Sequence, residues 1–393
     1  MFLSLALIFI IGLLGGLLFE KIRLPKIIFY LILGILLGPS MFNIIDQQLL
    51  DISSYLRQIA LVIILTRSGL SLNIKTLKEV GRPAFFMCFI PASFEIIGIT
   101  IFAPLIINVN IFEALLLGSV LAAVSPAIVV PRMIELKNKG LGARHNVAEL
   151  IMAGSSCDDI FVIVLFYSFL SLNQNNTFSP LTLLQIPSSI ILGIALGAII
   201  GLIYSLIIKK TNLNIVHYVI FLIGISFLLI ALENILKNYV SISALLSIIV
   251  LSIIIKQKNN DKAIKIEESY NKLWNAFEIL LFTLVGAITN AKLAFSIEGL
   301  KILGLIIIVL GFRSIGVIIS LLKTKYTKKE KLYIIISYLP KATVQASIGG
   351  IALSYNLSCG AIILTSAVIA ILFTAPLGAI LMDNLKTKLL KQE

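Results

Sequence analysis

Apolar positions along this chain neither alternate nor recur on one helical face. They fill whole segments, and short polar clusters separate one segment from the next. Apolar segments of roughly 17–25 residues are the length at which a helix crosses the hydrocarbon core of a bilayer. Thirteen are read: 1–19, 26–42, 55–72, 83–107, 112–134, 147–172, 182–208, 216–236, 240–255, 273–291, 299–322, 331–354 and 359–382. The expected fold is an all-α polytopic membrane protein of about 13 transmembrane helices. The first segment has no basic start and no small-residue cleavage site, so it is expected to remain as a helix.

Composition agrees. Hydrophobic residues make up 59% of the 393 and charged residues 13%, with a mean hydropathy of +1.06, far from the balance of a soluble domain. The net charge of +13 changes meaning once it is mapped. Odd-numbered connections and the tail hold 26 of the 32 lysines and arginines, Lys75 among them. Even-numbered connections hold Arg57, Lys237, Lys292 and Lys301. Basic loops stay cytoplasmic, so the N-terminus is expected outside and the C-terminus in the cytoplasm. The charge thus reports topology and contact with anionic membrane lipids, and nucleic acid is not an expected partner.

Six charges stand out inside the apolar segments: Glu95, Asp158, Asp159, Glu278, Arg313 and Lys341. Unpaired, each costs about 2.5–3.5 kcal/mol near mid-bilayer, so the six together cost on the order of 15–20 kcal/mol. Glu95 and Arg313 are each a lone charge deep in their segments, and are expected to pair as a structural strut. Asp158 and Asp159 are different. Neighbours on a helix point ~100° apart, so one partner does not readily serve both.

Two segments are interrupted. Val124-Ser125-Pro126-Ala127 to Pro131 breaks the fifth, and Leu339-Pro340-Lys341 to Gly349-Gly350 breaks the twelfth. Proline removes a backbone donor and clashes with the carbonyl four residues back. Unwound backbone at membrane depth is tolerated only against protein or a water-filled cavity. Segments five and twelve run in opposite directions across the membrane. Interruptions at corresponding places in inverted halves are the sequence mark of a secondary transporter's site.

The chemistry of that site follows from the residues. Na⁺ and Li⁺ are hard ions that take oxygen ligands, and a carboxylate withdrawn from water holds its proton more tightly. One carboxylate can then hold a proton or a cation in turn, which makes exchange its natural operation. Ser155 lies four residues before Asp159, on the same helix face, as a further candidate ligand. Ser125 and the carbonyls freed around Val124–Ala127 are others. Lys341 is expected to compensate charge at the site by facing Asp158.

These residues carry a resemblance. SPAIVVPRMIELKNKGLG, AGSSCDDIFVIVLF, GFRSIG and LPKATVQASIGGIAL, in this order, resemble the monovalent cation/proton antiporter superfamily, most of all its NHA-type sodium/proton exchangers. The resemblance implies two inverted repeats with two crossed, unwound helices, working as a homodimer through an elevator-like movement. It implies a dimerisation part over about 1–54 and 182–255, and an ion-translocating core over about 55–172 and 273–393. On it, Asp159 is the essential ion-binding aspartate and Asp158 its neighbour. Lys341 is the lysine of the second broken helix, and Glu95 and Arg313 are the membrane ion pair. Related branches carry Thr-Asp-Pro in the first break, whereas Ser125-Pro126-Ala127 here lacks that acidic group.

The expected function is exchange of Na⁺ or Li⁺ for H⁺, with no cofactor. Alternatives are a K⁺/H⁺ antiporter of the same superfamily and a sodium-coupled solute symporter. Enzymatic activity is not expected: no phosphate-binding loop, no Ser/Lys arrangement and no zinc-histidine spacing occurs. Cys88, Cys157 and Cys359 read as small apolar residues, and His145 and His217 as solvated loop histidines. The glycine faces Gly193/Gly197/Gly201 and Gly12/Gly16 permit close helix contact. The first is expected inside the chain and the second at the dimer interface. The Ile-, Lys- and Asn-rich usage suggests a prokaryotic cytoplasmic membrane.

Overall fold

The fold is given by a computed structural model that describes residues 1–72, 78, 80–174, 180–236 and 242–392. Lys75, Lys237 and the expected start of the ninth segment lie outside the described residues. The chain is helical. In order the helices are α1 (Phe2–Lys21), α2 (Lys26–Leu37), α3 (Gln47–Asp51), α4 (Ser53–Ser71), α5 (Arg82–Met87), α6 (Ile90–Ile107) and α7 (Ile111–Leu121). Then come α8 (Pro126–Asn138), α9 (Val147–Gln174), α10 (Pro180–Lys210), α11 (Ile215–Leu236), α12 (Ala244–Lys258) and α13 (Asn260–Ala287). The last are α14 (Ala291–Ala294), α15 (Ile297–Ser320), α16 (Lys328–Ser337), α17 (Thr343–Gly349), α18 (Ile351–Ser354) and α19 (Gly360–Leu389). Among the described residues, eight helical stretches are long and apolar enough to cross a membrane.

Local chemistry sets several boundaries. Asn110 caps α7 in a capping box with Glu113, and Thr327 does the same for α16 with Glu330. Asn108 and Asn146 take left-handed backbone before α7 and α9, where their short polar side chains tolerate a positive φ. One boundary departs from the sequence reading. The lysines of 256–272 were placed in a connection, but α13 already begins at Asn260, so Lys262, Lys265 and Lys272 ride on its first turns. A polar, Glu- and Lys-rich stretch lacks apolar length yet has good helix propensity.

The contacts divide the chain into two compact units. One comprises Met1–Arg57, Lys75–Val162 and Ile279–Glu393; the other comprises Gln58–Ile74 and Ile163–Glu278. In the second unit, α10 packs along α12 through small residues. Gly193 and Gly197 meet the backbone of Ser243 and Ser247, and Gly201 meets Leu251. In the first unit, Gly12 faces Ile279 and Gly16 faces Tyr30. This corrects the expectation for α1: its glycine face is used within the chain. Leu13, Leu14, Leu17 and Leu18 are among the α1 residues that stay exposed.

The first unit also holds both interruptions. Residues 122–125 and 339–342 are not helical. The first gap precedes Pro126, which opens α8 at the helix position where its missing N–H costs nothing. Pro131 is carried inside α8. The two gaps touch: Ser125 N–H donates to the Pro340 carbonyl at 2.8 Å. Helix α19 lies beside the second gap, with Gly378 against the Pro340 ring and Thr374 Oγ1 accepting from Lys341 N–H at 2.9 Å.

Candidate functional site

Around the two gaps the first unit buries five charges. Asp158, Arg313, Glu95, Lys341 and Asp159 are at most 6% exposed. Arg313, from the middle of α15, is the hub. Its Nη2 donates to Asp158 Oδ2 at 2.8 Å and its Nη1 to Glu95 Oε2 at 2.8 Å. Nη1 also reaches the Ala122 carbonyl, and Nε donates to the Tyr338 carbonyl at 2.6 Å. Its guanidinium stands 5.4 Å from the Tyr338 ring centroid. One planar fork thus ties α6, α9, the first gap and the end of α16 just before the second gap, which only arginine's fixed set of donors can do.

The close approach of α6 and α15 makes this possible. Gly98 has Phe312 against it, and Gly316 has the backbone of Pro91. Lys341 takes a different partner from the expected one. Its ammonium lies 2.6 Å from Glu95 Oε2 and not at Asp158, whose Oδ2 is already held by Arg313 and by Val124 N–H at 2.9 Å. The Glu95 carboxylate therefore receives two cations on one oxygen.

Asp159 is placed otherwise. Oδ1 of Asp159 is buried and has no hydrogen-bond partner among the described residues, and the same holds for Asp158 Oδ1 and Ser125 Oγ. Ser155 Oγ is turned to its own helix, donating to the Met152 carbonyl at 3.1 Å. With two cations set against Glu95 and Asp158, the charges balance without Asp159. A buried carboxylate oxygen with no donor is costly unless something else occupies it.

Two features were not foreseen. Gln345, on α17, donates from Nε2 to the carbonyls of Ala123 at 2.8 Å and Leu121 at 3.3 Å. The thiols of Cys88 and Cys157 adjoin each other beside Asp158, although nothing in their spacing marks them as neighbours. Glu278 belongs to the other unit.

The family model described as "Sodium/hydrogen exchanger, transmembrane" matches residues 5–383. Sodium/hydrogen exchanger 9B1 of Homo sapiens is 32% identical over 410 residues, covering 98% of this chain and 78% of that protein. Sodium/hydrogen exchanger 9B2 of Mus musculus is 30% identical over 349 residues, covering 86% of this chain. Only 63% of the mouse protein's own length is spanned. The solved sodium proton antiporter MjNhaP1 of Methanocaldococcus jannaschii shares the fold, with a TM-score of 0.83 at 22% identity over 98% of this chain and 97% of that one. The expectation of a prokaryotic source falls here, because the sequence relatives just named are animal proteins. These relatives are exchangers, transporters and not enzymes. An interrupted helical core around a buried carboxylate pair, and a family match over nearly the whole length, lead to one statement: this integral membrane chain belongs to the sodium/hydrogen exchanger family.

Proposed function

We propose that the chain is a secondary antiporter exchanging Na⁺ or Li⁺ for H⁺, with Asp159 as the exchanging carboxylate. The observation that carries this reading is Asp159 Oδ1, a buried acceptor without a donor, beside an Asp158 already committed to Arg313 and Val124. A proton on Asp159 removes its charge and makes it a donor; a sodium ion removes the charge and takes the oxygen as ligand. The two occupants compete for one site. Ser125 Oγ, buried and unpartnered, is a supporting ligand in this reading, together with Ser155 and the Asp158 oxygen Oδ1. Lys341 and Arg313 compensate Glu95 and Asp158.

The wider arrangement is part of the proposal. Thirteen crossings form two inverted repeats whose interrupted helices cross at the contact of Ser125 with Pro340. The N-terminus faces outside, the C-terminus the cytoplasm, and the bilayer lipids and a second copy of the chain are its partners. The dimerisation part, about 1–54 and 182–255, stays fixed while the core, about 55–172 and 273–393, moves as an elevator.

Everted vesicles carrying the protein and an imposed proton gradient test this. Proton efflux on adding Na⁺ or Li⁺, and not on adding K⁺, is the expected result. Efflux with K⁺ alone selects the K⁺/H⁺ alternative. Proton movement that needs an organic solute together with Na⁺ selects a symporter.

A further inference from the structure

The exchange reading leaves Gln345 Oε1 unused. Asp158 Oδ1, Asp159 Oδ1, Ser125 Oγ and Gln345 Oε1 are buried side-chain oxygens without a partner among the described residues. Gln345 is fully buried at the start of α17. Its amide orientation is set by its neighbours. Two carbonyls, of Leu121 and Ala123, can be faced only by the NH₂ end, since turning the amide over would bring three acceptors together. Oε1 is therefore the end directed away from both carbonyls, and no donor meets it.

What could occupy it is chemically narrow. The N–H of Val124 is held by Asp158 and the N–H of Ser125 by Pro340, so neither is free to turn to Gln345. Asp158, Ser125 and Gln345 all make contact with the three-residue run 123–125, and Asp159 follows Asp158. Against three unpartnered carboxylate and amide oxygens, the one donor in this set is the Ser125 hydroxyl. A buried amide oxygen without a donor is destabilising, and such an atom persists where an occupant relieves it. Unpartnered oxygen acceptors on side chains that hold a short stretch of unwound backbone suit a hard monovalent cation.

We propose that Gln345 is a ligand and positioning residue for the transported Na⁺ or Li⁺, offering Oε1 to the ion while Nε2 holds the Leu121 and Ala123 carbonyls in place. The inference rests on the exchange reading and adds a residue to its site. One arm shapes the gap and the other completes the coordination, so loss of the side chain acts on cation affinity before it acts on turnover.

The test uses the full chain in proteoliposomes, with Na⁺ and Li⁺ dependence of proton movement measured for the parent, Gln345→Leu and Gln345→Glu. Gln345→Leu is expected to raise the apparent constants for both ions about tenfold, with the maximal rate kept within about threefold, as loss of one buried polar ligand implies. Gln345→Glu keeps the length and, with its carboxyl protonated against the two carbonyls, one O–H donor for them and one acceptor oxygen for the ion, so its constants are expected within about threefold of the parent's. Constants within about twofold of the parent's in Gln345→Leu overturn the proposal, as does an unchanged constant with a collapsed rate. Should Gln345→Leu fail to fold, Gln345→Glu decides, and a rise of about tenfold in its constants overturns the proposal. A parent that shows no cation-dependent proton movement overturns the exchange reading itself. A parent that exchanges, matched by Gln345→Leu, overturns only the role given to Gln345.

Discussion

Arg313 and Asp158 form an ion pair wholly removed from solvent, with 2.8 Å between Nη2 and Oδ2 and both side chains at 0% exposure. The pair fixes which of the two adjacent aspartates is bound by the protein. Asp158 is an internal anion of the fold, whereas Asp159 Oδ1 has no hydrogen-bond partner among the described residues.

Asp159→Asn is expected to abolish Na⁺- and Li⁺-dependent proton movement while the purified protein keeps its melting temperature within a few degrees. An amide cannot trade a proton for a cation. Asp158→Asn is expected to lower stability more and to retain some transport. Fluorescence assays in proteoliposomes between about pH 6 and 9 check both, and exchange by Asp159→Asn anywhere in that range removes Asp159 from its role.

Arg313→Ala leaves Glu95 sharing only Lys341 and Asp158 with no cation, a loss of about 3–5 kcal/mol for a broken buried pair. Glu95→Ala is expected to cost less, because Arg313 keeps Asp158 and the carbonyls of Ala122 and Tyr338. Since the contacts share one guanidinium, the double variant is expected to be non-additive by more than about 0.5 kcal/mol. Arg313→Lys should not rescue, as an ammonium has no planar fork to span four acceptors. Thermal unfolding in detergent measures all four.

Two cations, Arg313 and Lys341, stand against Glu95 and Asp158 through contacts of 2.6–2.8 Å. If these four keep their charges through the cycle, one proton leaves Asp159 for each sodium that arrives. Exchange is then expected to be one for one and carry no net charge. Transport rates in proteoliposomes clamped at opposite membrane potentials should coincide, and a rate that follows the potential would show that a second proton moves.

Gly197→Val is expected to destabilise by about 1–3 kcal/mol, the range for forcing volume into a packed contact. Its Cβ would meet the backbone of Ser247, which cannot turn aside. Gly224 on α11 has nothing within 4 Å of a Cβ position. Gly224→Ala is therefore expected to be neutral or to stabilise by about 0.5–1 kcal/mol. The melting temperature should fall for Gly197→Val and hold or rise for Gly224→Ala.

At the start of α16, burial raises the Glu330 carboxyl, but hydrogen bonds from Thr327 and His145 outweigh it and leave the group below its ordinary value of 4.5. A carboxylate depressed in the folded state adds stability above its unfolded value and loses it as pH falls through the folded one. Glu330→Gln is expected to lower the melting temperature at neutral pH, and the difference from the parent should shrink below about pH 4.5. A difference that stays constant into acid would assign the loss to the cap alone.

Much of the site could be read from residues alone, because a bilayer makes every buried charge conspicuous. Asp158, Asp159, Glu95, Arg313 and Lys341 stood out by cost, and Pro126 and Pro340 by the donors they remove. The pairing could not be read in the same way. Lys341 and Glu95 are 246 residues apart, Arg313 and Asp158 155, and nothing local assigns one cation to one carboxylate. Gln345 was passed over since an uncharged amide near Ala346 and Ser347 looks like packing until its two carbonyl partners are seen. Gly12 and Gly16 had the spacing of a helix-contact face, but spacing does not say whether the neighbour is Tyr30 of the same chain or another molecule.

The bond from Ser125 N–H to the Pro340 carbonyl gives the molecule an internal clock. Residue 126 is proline, so the Ser125 amide hydrogen is the last before the chain resumes its helix, and the other gap holds it. Deuterium can replace that hydrogen only while the gaps are parted. Its uptake therefore counts how often the interruptions separate: slow uptake means that they stay together as one piece, and fast uptake means that this contact is the joint that opens.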